Sequence, residues 1–323
     1  MKKHHFTRIL AVFLLLCTVL LAVACDPQSF TDDLNTILNS FGDTSKDAAK
    51  TQATPIPTAK QAEDSLQIFY IDVGQGDSIL ILTPGGHSIL IDAGDTSTAS
   101  KQAIKDCLEK NLPKNQDNEQ ILDYAIFTHP DADHIGGAQV VMEAFPATKV
   151  ILPKKEHTTA SYRKMIEQIG ENDSELIYAK AGTSYTLDSI AFKIIAPYSA
   201  DYSDMNNYSV VIHLTYGTTS FLFVGDAETA SEKEMLEHYR EDLKSDILKV
   251  GHHGSDTSSS ADFLAAVQPK YGIVSCGKDN KYGHPTPEIL KRYEDAGIPL
   301  LRTDLLGTIH LQSDGTNITQ VAD

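Results

Sequence analysis

The sequence predicts an α/β fold in which sheets are covered by helices. Three observations carry this: the regular part of the chain opens with strands, short apolar runs then alternate with amphipathic helical stretches, and no internal repeat interrupts them. With 323 residues, 41% of them hydrophobic, the chain can bury a substantial core. No second linker is visible, so one domain from Leu66 to the end, residues 66–323, is the simplest account.

The N-terminus differs in kind. Lys2, Lys3 and Arg8 precede an uncharged apolar run from Ile9 to Ala24, and Leu21-Ala-Val-Ala-Cys25 ends it with small residues before a cysteine. That is the layout of a secretory signal. Over residues 1–24 it resembles a bacterial lipoprotein signal, with Cys25 as the lipidated first residue of the mature chain and the protein anchored outside the cell membrane. Ala22 stands where leucine is usual, which keeps an uncleaved anchor as the other reading; both leave the rest of the chain on the same side. The run is shorter than the roughly 20 residues that comfortably span a bilayer, and no other segment is apolar enough, so no transmembrane channel is expected in this chain. Residues 25–65, rich in Asp, Thr, Ser, Ala, Gln and Pro, read as a flexible tether.

Residues 66–73 then read as a strand, and residues 78–82 with 88–91 as a hairpin across Pro84-Gly-Gly86. Ala99, Ala103 and Cys107, beside Ile104 and Leu108, mark a helix that stops before Pro113. The apolar strand 121–127 leads directly into Thr128-His-Pro-Asp-Ala-Asp-His-Ile-Gly-Gly137. Further strands are legible at 149–152, 190–195, 209–216, 220–224, 246–250, 271–275 and 308–311, with helices at 162–169, 231–239, 261–267 and 287–296.

The segment that carries chemistry is His129-x-Asp131-x-Asp133-His134. Four metal-competent side chains within six residues, just after a buried strand, are hard to explain as packing, because buried charge is costly unless paired or metal-bound. Gly136-Gly137 lets the following helix approach closely. Other features bound the function. The formal net charge is −17, and loss of the signal removes only positive charge, so the surface repels polyanions on average. A nucleic-acid function therefore needs a local basic channel or bound cations. Cys107 and Cys276 lie in no metal-binding spacing and read as two packed thiols, although pairing is open.

The His129 segment resembles the hallmark of the metallo-β-lactamase superfamily, with Asp131 where histidine is common. That variant is similar to the hydrolase domain of ComEC-type competence proteins. The resemblance runs through Asp72-Val-Gly-Gln-Gly-Asp77, Ile91-Asp-Ala-Gly94, Asn206-Asn-Tyr-Ser209, Val224-Gly-Asp226, Lys249-Val-Gly-His-His-Gly-Ser255 and Tyr282-Gly-His-Pro285, in that order. It implies an αββα sandwich. It also implies two divalent metal ions, manganese or zinc: His129 and Asp131 on the first, Asp133 and His134 on the second, Asp226 bridging. One histidine of His252 and His253 completes the second site; His252, first after the strand, is favoured. The superfamily usually adds a histidine to the first metal near Asn207, and His213 is no obvious substitute because it falls inside an alternating strand.

The remaining motifs have two readings each. Asp72 with Gln75 and Asp77 either builds a turn or supports the site mouth. Asp92-Ala-Gly94 reads as structural, closing a strand. Ser255 and Ser258-Ser-Ser260 read as a helix cap before Ala261 rather than a nucleophile. Tyr282 and His284 either bind a substrate phosphate or protonate a leaving group, or have no role.

The mechanism these residues fit is hydrolysis by a metal-bound hydroxide, oriented by Asp133. The resemblance implies a nuclease-type phosphodiesterase, with DNA as a candidate substrate. A phosphoesterase acting on a surface group such as phosphocholine or a teichoic-acid decoration is the alternative, favoured by the acidic surface. A β-lactamase is disfavoured because Asp131 and Asn207 replace two histidines. A non-catalytic surface-binding lipoprotein would need decorative metal ligands. The sequence identifies no protein partner.

Overall fold

The computed structural model describes residues 56–62 and 64–322. The signal, Cys25 and residues 25–55 of the expected tether lie outside the described residues. Strands β1 (Thr58–Ala59), β2 (Leu66–Tyr70), β3 (Ile79–Leu82), β4 (Ser88–Ile91), β5 (Leu122–Ile126), β6 (Ala147–Leu152) and β7 (Glu175–Tyr178) belong to a first sheet. Helices α1 (Thr98–Asn111), α2 (Ala132–Ile135), α3 (Ala138–Ala144) and α4 (Ala160–Glu171) lie among them in sequence. A second sheet follows with β8 (Ser184–Leu187), β9 (Ile190–Ala196), β10 (Val211–Tyr216), β11 (Thr219–Phe223), β12 (Ile247–Lys249), β13 (Tyr271–Val274) and β14 (Leu300–Arg302). Its helices are α5 (Thr229–His238), α6 (Ala261–Val267), α7 (Pro287–Asp295) and α8 (Thr303–Leu306). The chain then returns to the first sheet with β15 (Ile309–Ser313) and β16 (Ile318–Val321).

The spatial orders are β1-β16-β15-β2-β3-β4-β5-β6-β7 and β14-β13-β12-β11-β10-β9-β8. Period-two alternation sorts the strand side chains into layers. Ile68 and Tyr70 of β2 join Phe192, Ile212, Phe221 and Phe223 in a core between the sheets. Phe69 and Ile71 face the other way, onto Ile104, Leu108, Val141 and Met165 of α1, α3 and α4. On the second sheet Leu222 and Leu248 pack with Met235, Phe263 and Tyr293 of α5, α6 and α7. Both sheets are thus buried on both faces, which explains strands such as β3, Ile-Leu-Ile-Leu, with no polar position. The result is the expected αββα sandwich.

The expected tether ends too late. Ile56 is buried in the inter-sheet core, and β1 pairs in parallel with β16 through Thr58↔Gln320 and Ala59↔Val321. Gln312 Nε2 donates to the Lys60 carbonyl at 2.8 Å, and Ala62 N donates to Gln312 Oε1 at 2.9 Å. Linker-like composition misleads here because a two-residue edge strand carries no periodicity. Strands β7, β8 and β16 escape sequence reading for a related reason: they are short and no residue in them is fully buried, so no apolar run marks them.

Candidate metal centre

Strands β4, β5 and β6 run parallel, as do β11, β12 and β13, so the turns leaving each set emerge at one edge of each sheet. Asp92 follows β4, Thr128 to His134 follow β5, Asp226 follows β11, His252 and His253 follow β12, and Ser275 follows β13. The two edges meet at these turns. Gly136 and Gly137 let the turn after β5 lie against the turn after β4: a Cβ at Gly136 would fall within 2.5 Å of the Asp95 and Thr96 backbone, and one at Gly137 would collide with the Ala93 carbonyl.

One donor atom from each of Asp133, His134, Asp226 and His253 lies within 4.8 Å of all the others. His134 Nε2 is 3.3 Å from both Asp226 Oδ2 and His253 Nε2. His253 Nε2 is 3.3 Å from Asp226 Oδ2 and 3.4 Å from Asp133 Oδ2. The far nitrogens are tied from behind. His134 Nδ1 donates to Asp92 Oδ2 at 2.7 Å, and His253 Nδ1 donates to the Ser275 carbonyl at 2.9 Å. When neutral, an imidazole tied in this way directs its Nε2 lone pair into the cluster, the usual support for a metal-ligating histidine. Asp92 is itself fixed by Thr128, whose N–H and Oγ1 donate at 2.8 and 2.7 Å. It also holds a left-handed backbone, φ 59°, which such contacts over-determine.

His129 and Asp131 stand beside this group. His129 is buried, its Nε2 has no hydrogen-bond partner, and Asp131 Oδ2 is 3.7 Å away. Asp226 Oδ1 is likewise buried without a partner. Buried polar atoms are otherwise paired in folded proteins, so an orphaned imidazole nitrogen and carboxylate oxygen converging on a His/Asp cluster fit cation donors. The electrostatics agree. Burial, with His134 nearby, pushes the His129 imidazole down to about 3, leaving its lone pair free at neutral pH. Burial would raise Asp226, but His134 and His253 hold its carboxyl well below the ordinary range. Burial opposes charge on His134 as well, yet Asp226 and Asp92 lift it well above its usual value. The pocket demands positive charge.

The preference for His252 is corrected by this geometry. Two successive residues, His252 and His253, take left-handed backbones with φ 47° and 53°, and that bend sends the second inward. His253 is 1% exposed. His252 lies at the rim, Nε2 3.8 Å from Asp226 Oδ2, with Nδ1 3.2 Å from Glu228 Oε1 and 3.1 Å from Thr257 Oγ1. The His284 ring stands 5.6 Å from that of His252, and half-exposed Tyr282 stacks on His284 at 5.8 Å. These three rings form one wall of the mouth.

Asn207 does not reach the cluster. Its Oδ1 accepts from the N–H groups of Glu228 and Ser231 at 3.2 and 3.0 Å, capping the start of α5. His213 sits in β10 opposite Lys193 and Leu222, remote from the cluster in register. Asp72 builds a turn, its Oδ1 accepting from Gly74 N at 3.1 Å. Gln75 joins that turn to the loop after β13, accepting from Gly277 N at 3.2 Å. Ser260, last of its run, caps α6 by accepting from Phe263 N. Cys107 and Cys276 are free thiols.

Asp77 is a further buried supporting group. Its Oδ2 pairs with Lys249 Nζ at 2.8 Å and its Oδ1 is 3.5 Å from His253 Nδ1. Both partners are buried, Lys249 completely. Alternation explains the position: Ile247 of β12 faces the inter-sheet core, so Lys249, two residues on, points between the sheets and meets an aspartate from the opposite one. Burial would raise Asp77, but Lys249 and His253 bring its carboxyl down to about 2.

A profile of the Metallo-beta-lactamase superfamily matches residues 71–180 and 201–278. The chain belongs to the metallo-β-lactamase superfamily. Among curated relatives it is 31% identical over 255 residues to ComE operon protein 3 of Bacillus subtilis, a match covering 75% of this chain and 32% of that protein. It is 33% identical over 247 residues to Competence protein ComA of Neisseria gonorrhoeae, covering 76% and 32%. The chain thus spans about a third of the length of these relatives and resembles the hydrolase domain of ComEC-type competence proteins. Among solved structures, the metallo-beta-lactamase fold protein YhfI from Bacillus subtilis superposes with a TM-score of 0.50 at 10% identity, over 77% of this chain and 100% of that one; this likeness shows the fold alone. The chain is accordingly a metallo-β-lactamase-superfamily hydrolase with a His/Asp cluster suited to metal. Among the described residues, no helix is long and apolar enough to cross a membrane.

Sequence reading overlooked Asp92 and Lys249 as working residues. Asp92 looked like the end of a strand, and nothing local marks its reach to His134, 42 positions on. Lys249 did leave a signal: a lysine inside Ile-Leu-Lys-Val requires a buried partner.

Proposed function

We propose that this chain is a metal-dependent phosphodiesterase of the nuclease type, exported and held at the membrane through Cys25. The observation that carries the reading is the convergence of His129, Asp131, Asp133, His134, Asp226 and His253 at one end of the sandwich, with His129 Nε2 and Asp226 Oδ1 buried and unpaired. His129 and Asp131 would hold one divalent cation and Asp133, His134 and His253 a second, with Asp226 available to either. When bound, they supply Lewis acidity that activates water and balances charge on the phosphate.

The protein's own groups do the rest. Asp92 and Ser275 fix the two imidazoles, so the donors are pre-oriented before substrate arrives. Within the four-donor group Asp133, 31% exposed at its side chain where Asp226 is 4%, is the carboxylate open to solvent and would be the one to accept a proton from an attacking water. His252, His284 and Tyr282 form a ring cluster beside the donors, and His284 is the group there that would protonate a leaving group. The relationship to competence proteins supports DNA as the substrate. The test incubates chelated, purified protein with bis-p-nitrophenyl phosphate, single-stranded DNA, duplex DNA and p-nitrophenylphosphocholine, each with manganese or zinc. Metal-dependent release from the first two is expected; hydrolysis of the phosphocholine ester alone would replace this reading with a surface phosphoesterase.

A further inference from the structure

The donors of the second cation come from both halves of the sandwich. Asp133 and His134 follow β5 of the first sheet, whereas Asp226 and His253 follow β11 and β12 of the second. The quality of that site therefore depends on how the two edges are held against each other. Apolar packing between the sheets has no direction of its own and sets this only loosely.

One ion pair crosses the gap beside the cluster. Lys249 ends β12, and its Nζ is 2.8 Å from Oδ2 of Asp77, which lies just ahead of β3. Among the described residues, every other ion pair made by a lysine or arginine joins groups of one sheet with its own helices and loops. Both ends of the crossing pair are anchored. Lys249 Nζ also donates to the Val250 carbonyl at 2.9 Å. Asp77 N donates to the Asp133 carbonyl at 3.2 Å, and Gly94 N donates to the Asp77 carbonyl at 2.9 Å. Asp77 is thus strapped to the turn that carries Asp133 and to the one that carries Asp92, the carboxylate behind His134. Gly76 makes the first strap possible: its φ is 140°, and a Cβ there would stand 2.3 Å from the Asp133 carbonyl oxygen.

The remaining Asp77 oxygen is the informative atom. Oδ1 is buried, has no hydrogen-bond partner and stands 3.5 Å from His253 Nδ1, the ring nitrogen that donates to the Ser275 carbonyl at 2.9 Å. Stability alone is a weak reason for such a pair, since apolar side chains of similar volume often join two sheets as well without desolvating two charges. A carboxylate with a spare lone pair behind a donor imidazole does what an apolar pair cannot: it orients the ring and raises its basicity toward a cation.

We infer that the Lys249–Asp77 pair positions the donors of the second cation, clamping the turn that carries His253 to the turn that carries Asp133 while Asp77 Oδ1 supports the His253 ring from behind. Neither residue touches cation or substrate; both are positioning residues. The inference rests on the two-cation reading and names the groups that set the strength of one of its two sites. No hydrogen bond or ion pair among the described residues links Lys249 or Asp77 to the side chains of His129 or Asp131, so the first cation should be spared.

The test separates positioning from scaffolding. Lys249→Met/Asp77→Asn removes both charges and strands neither, so its urea midpoint without metal should lie near that of wild type. Manganese affinity of the full chain, read by competition with a chelator, should nevertheless fall about 10–100-fold, and metal content after mild chelation should drop from about two ions per chain to about one. Ile68→Val, which trims the inter-sheet core and leaves the clamp intact, should hold metal as wild type does. If the double variant fails to fold, Asp77→Asn alone, which keeps the side chain's shape, carries the same measurement. Wild-type metal affinity in the clamp variant, or an equal loss in Ile68→Val, would overturn the clamp and leave the two-cation reading standing. A wild-type chain that takes up neither manganese nor zinc would bring down both.

Discussion

His253 and His252 occupy adjacent positions with opposite surroundings, and their substitutions should separate accordingly. His253→Ala removes a buried cluster donor and is expected to lower turnover by several orders of magnitude and to release metal, read by metal content after mild chelation. His252→Ala leaves the four-donor group whole and should retain metal, with a smaller loss of turnover; equal metal loss in both would show that the geometric distinction has no consequence. Asp133→Asn should cost turnover a comparable amount with little change in unfolding midpoint, since it removes a partly exposed charge and acceptor rather than a packed group. Activity within tenfold of wild type would end the role given to Asp133.

Lys249 and Asp77 pose a different question at the same scale, because their pair is buried between the sheets. Removing one partner strands the other's charge, so Lys249→Met should destabilise the fold by about 3–5 kcal/mol, and adding Asp77→Asn should recover much of that. The pH dependence follows from the sign of the shift. A carboxyl depressed to about 2 contributes stability that is fully present above the unfolded value of about 4 and is lost as pH falls through 2. The stability gap between wild type and Asp77→Asn should therefore narrow on acidification across that window, measured by urea unfolding. A gap independent of pH would mean that Asp77 acts through shape alone.

At the scale of elements, the first strand decides where the folded body begins. Residues 56–62 contribute Ile56 to the core and β1 to the edge of the first sheet. Their backbone is bonded further through Gln320 N to the Pro57 carbonyl at 2.9 Å and Ala322 N to the Ala59 carbonyl at 3.2 Å. A chain starting at Leu66 should be less stable than one starting at Ala53 by about 3 kcal/mol, the order of a lost buried isoleucine with its strand. Identical urea midpoints for the two truncations would place the boundary back at residue 66. Four of the five helices legible in the sequence carry their own punctuation: Ser97, Thr159, Ser260 and Thr286 each accept a bond from the first turn of the helix that follows. The exposed edge strands β7 and β8 carry none.

For the whole molecule, the metal set is the property to test. The candidate donors include the carboxylates of Asp131, Asp133 and Asp226 against the imidazoles of His129, His134 and His253. That oxygen share favours manganese turnover relative to nitrogen- and sulfur-rich zinc sites, although affinity by the Irving–Williams order still favours zinc. Apo-protein titrated with each ion should turn over bis-p-nitrophenyl phosphate faster with manganese; a zinc optimum with inert manganese would refute the oxygen-for-nitrogen argument. Chelation should also lower the thermal midpoint, because a cation held only by the folded state stabilises it by mass action.

What the sequence determined by itself was local: the order of the buried strands and the main helices, the His129 to His134 turn after a buried strand, and, through resemblance, the αββα class. Those follow from periodicity and from residues close together in the chain. What the tertiary structure alone decided was which groups meet. Asp92 reaches His134, Lys249 reaches Asp77 across the sandwich, and a left-handed bend selects His253 over His252. Each of those choices depends on two sheet edges arriving at one place, and no local spacing encodes the distance between residues that only a packed core brings together.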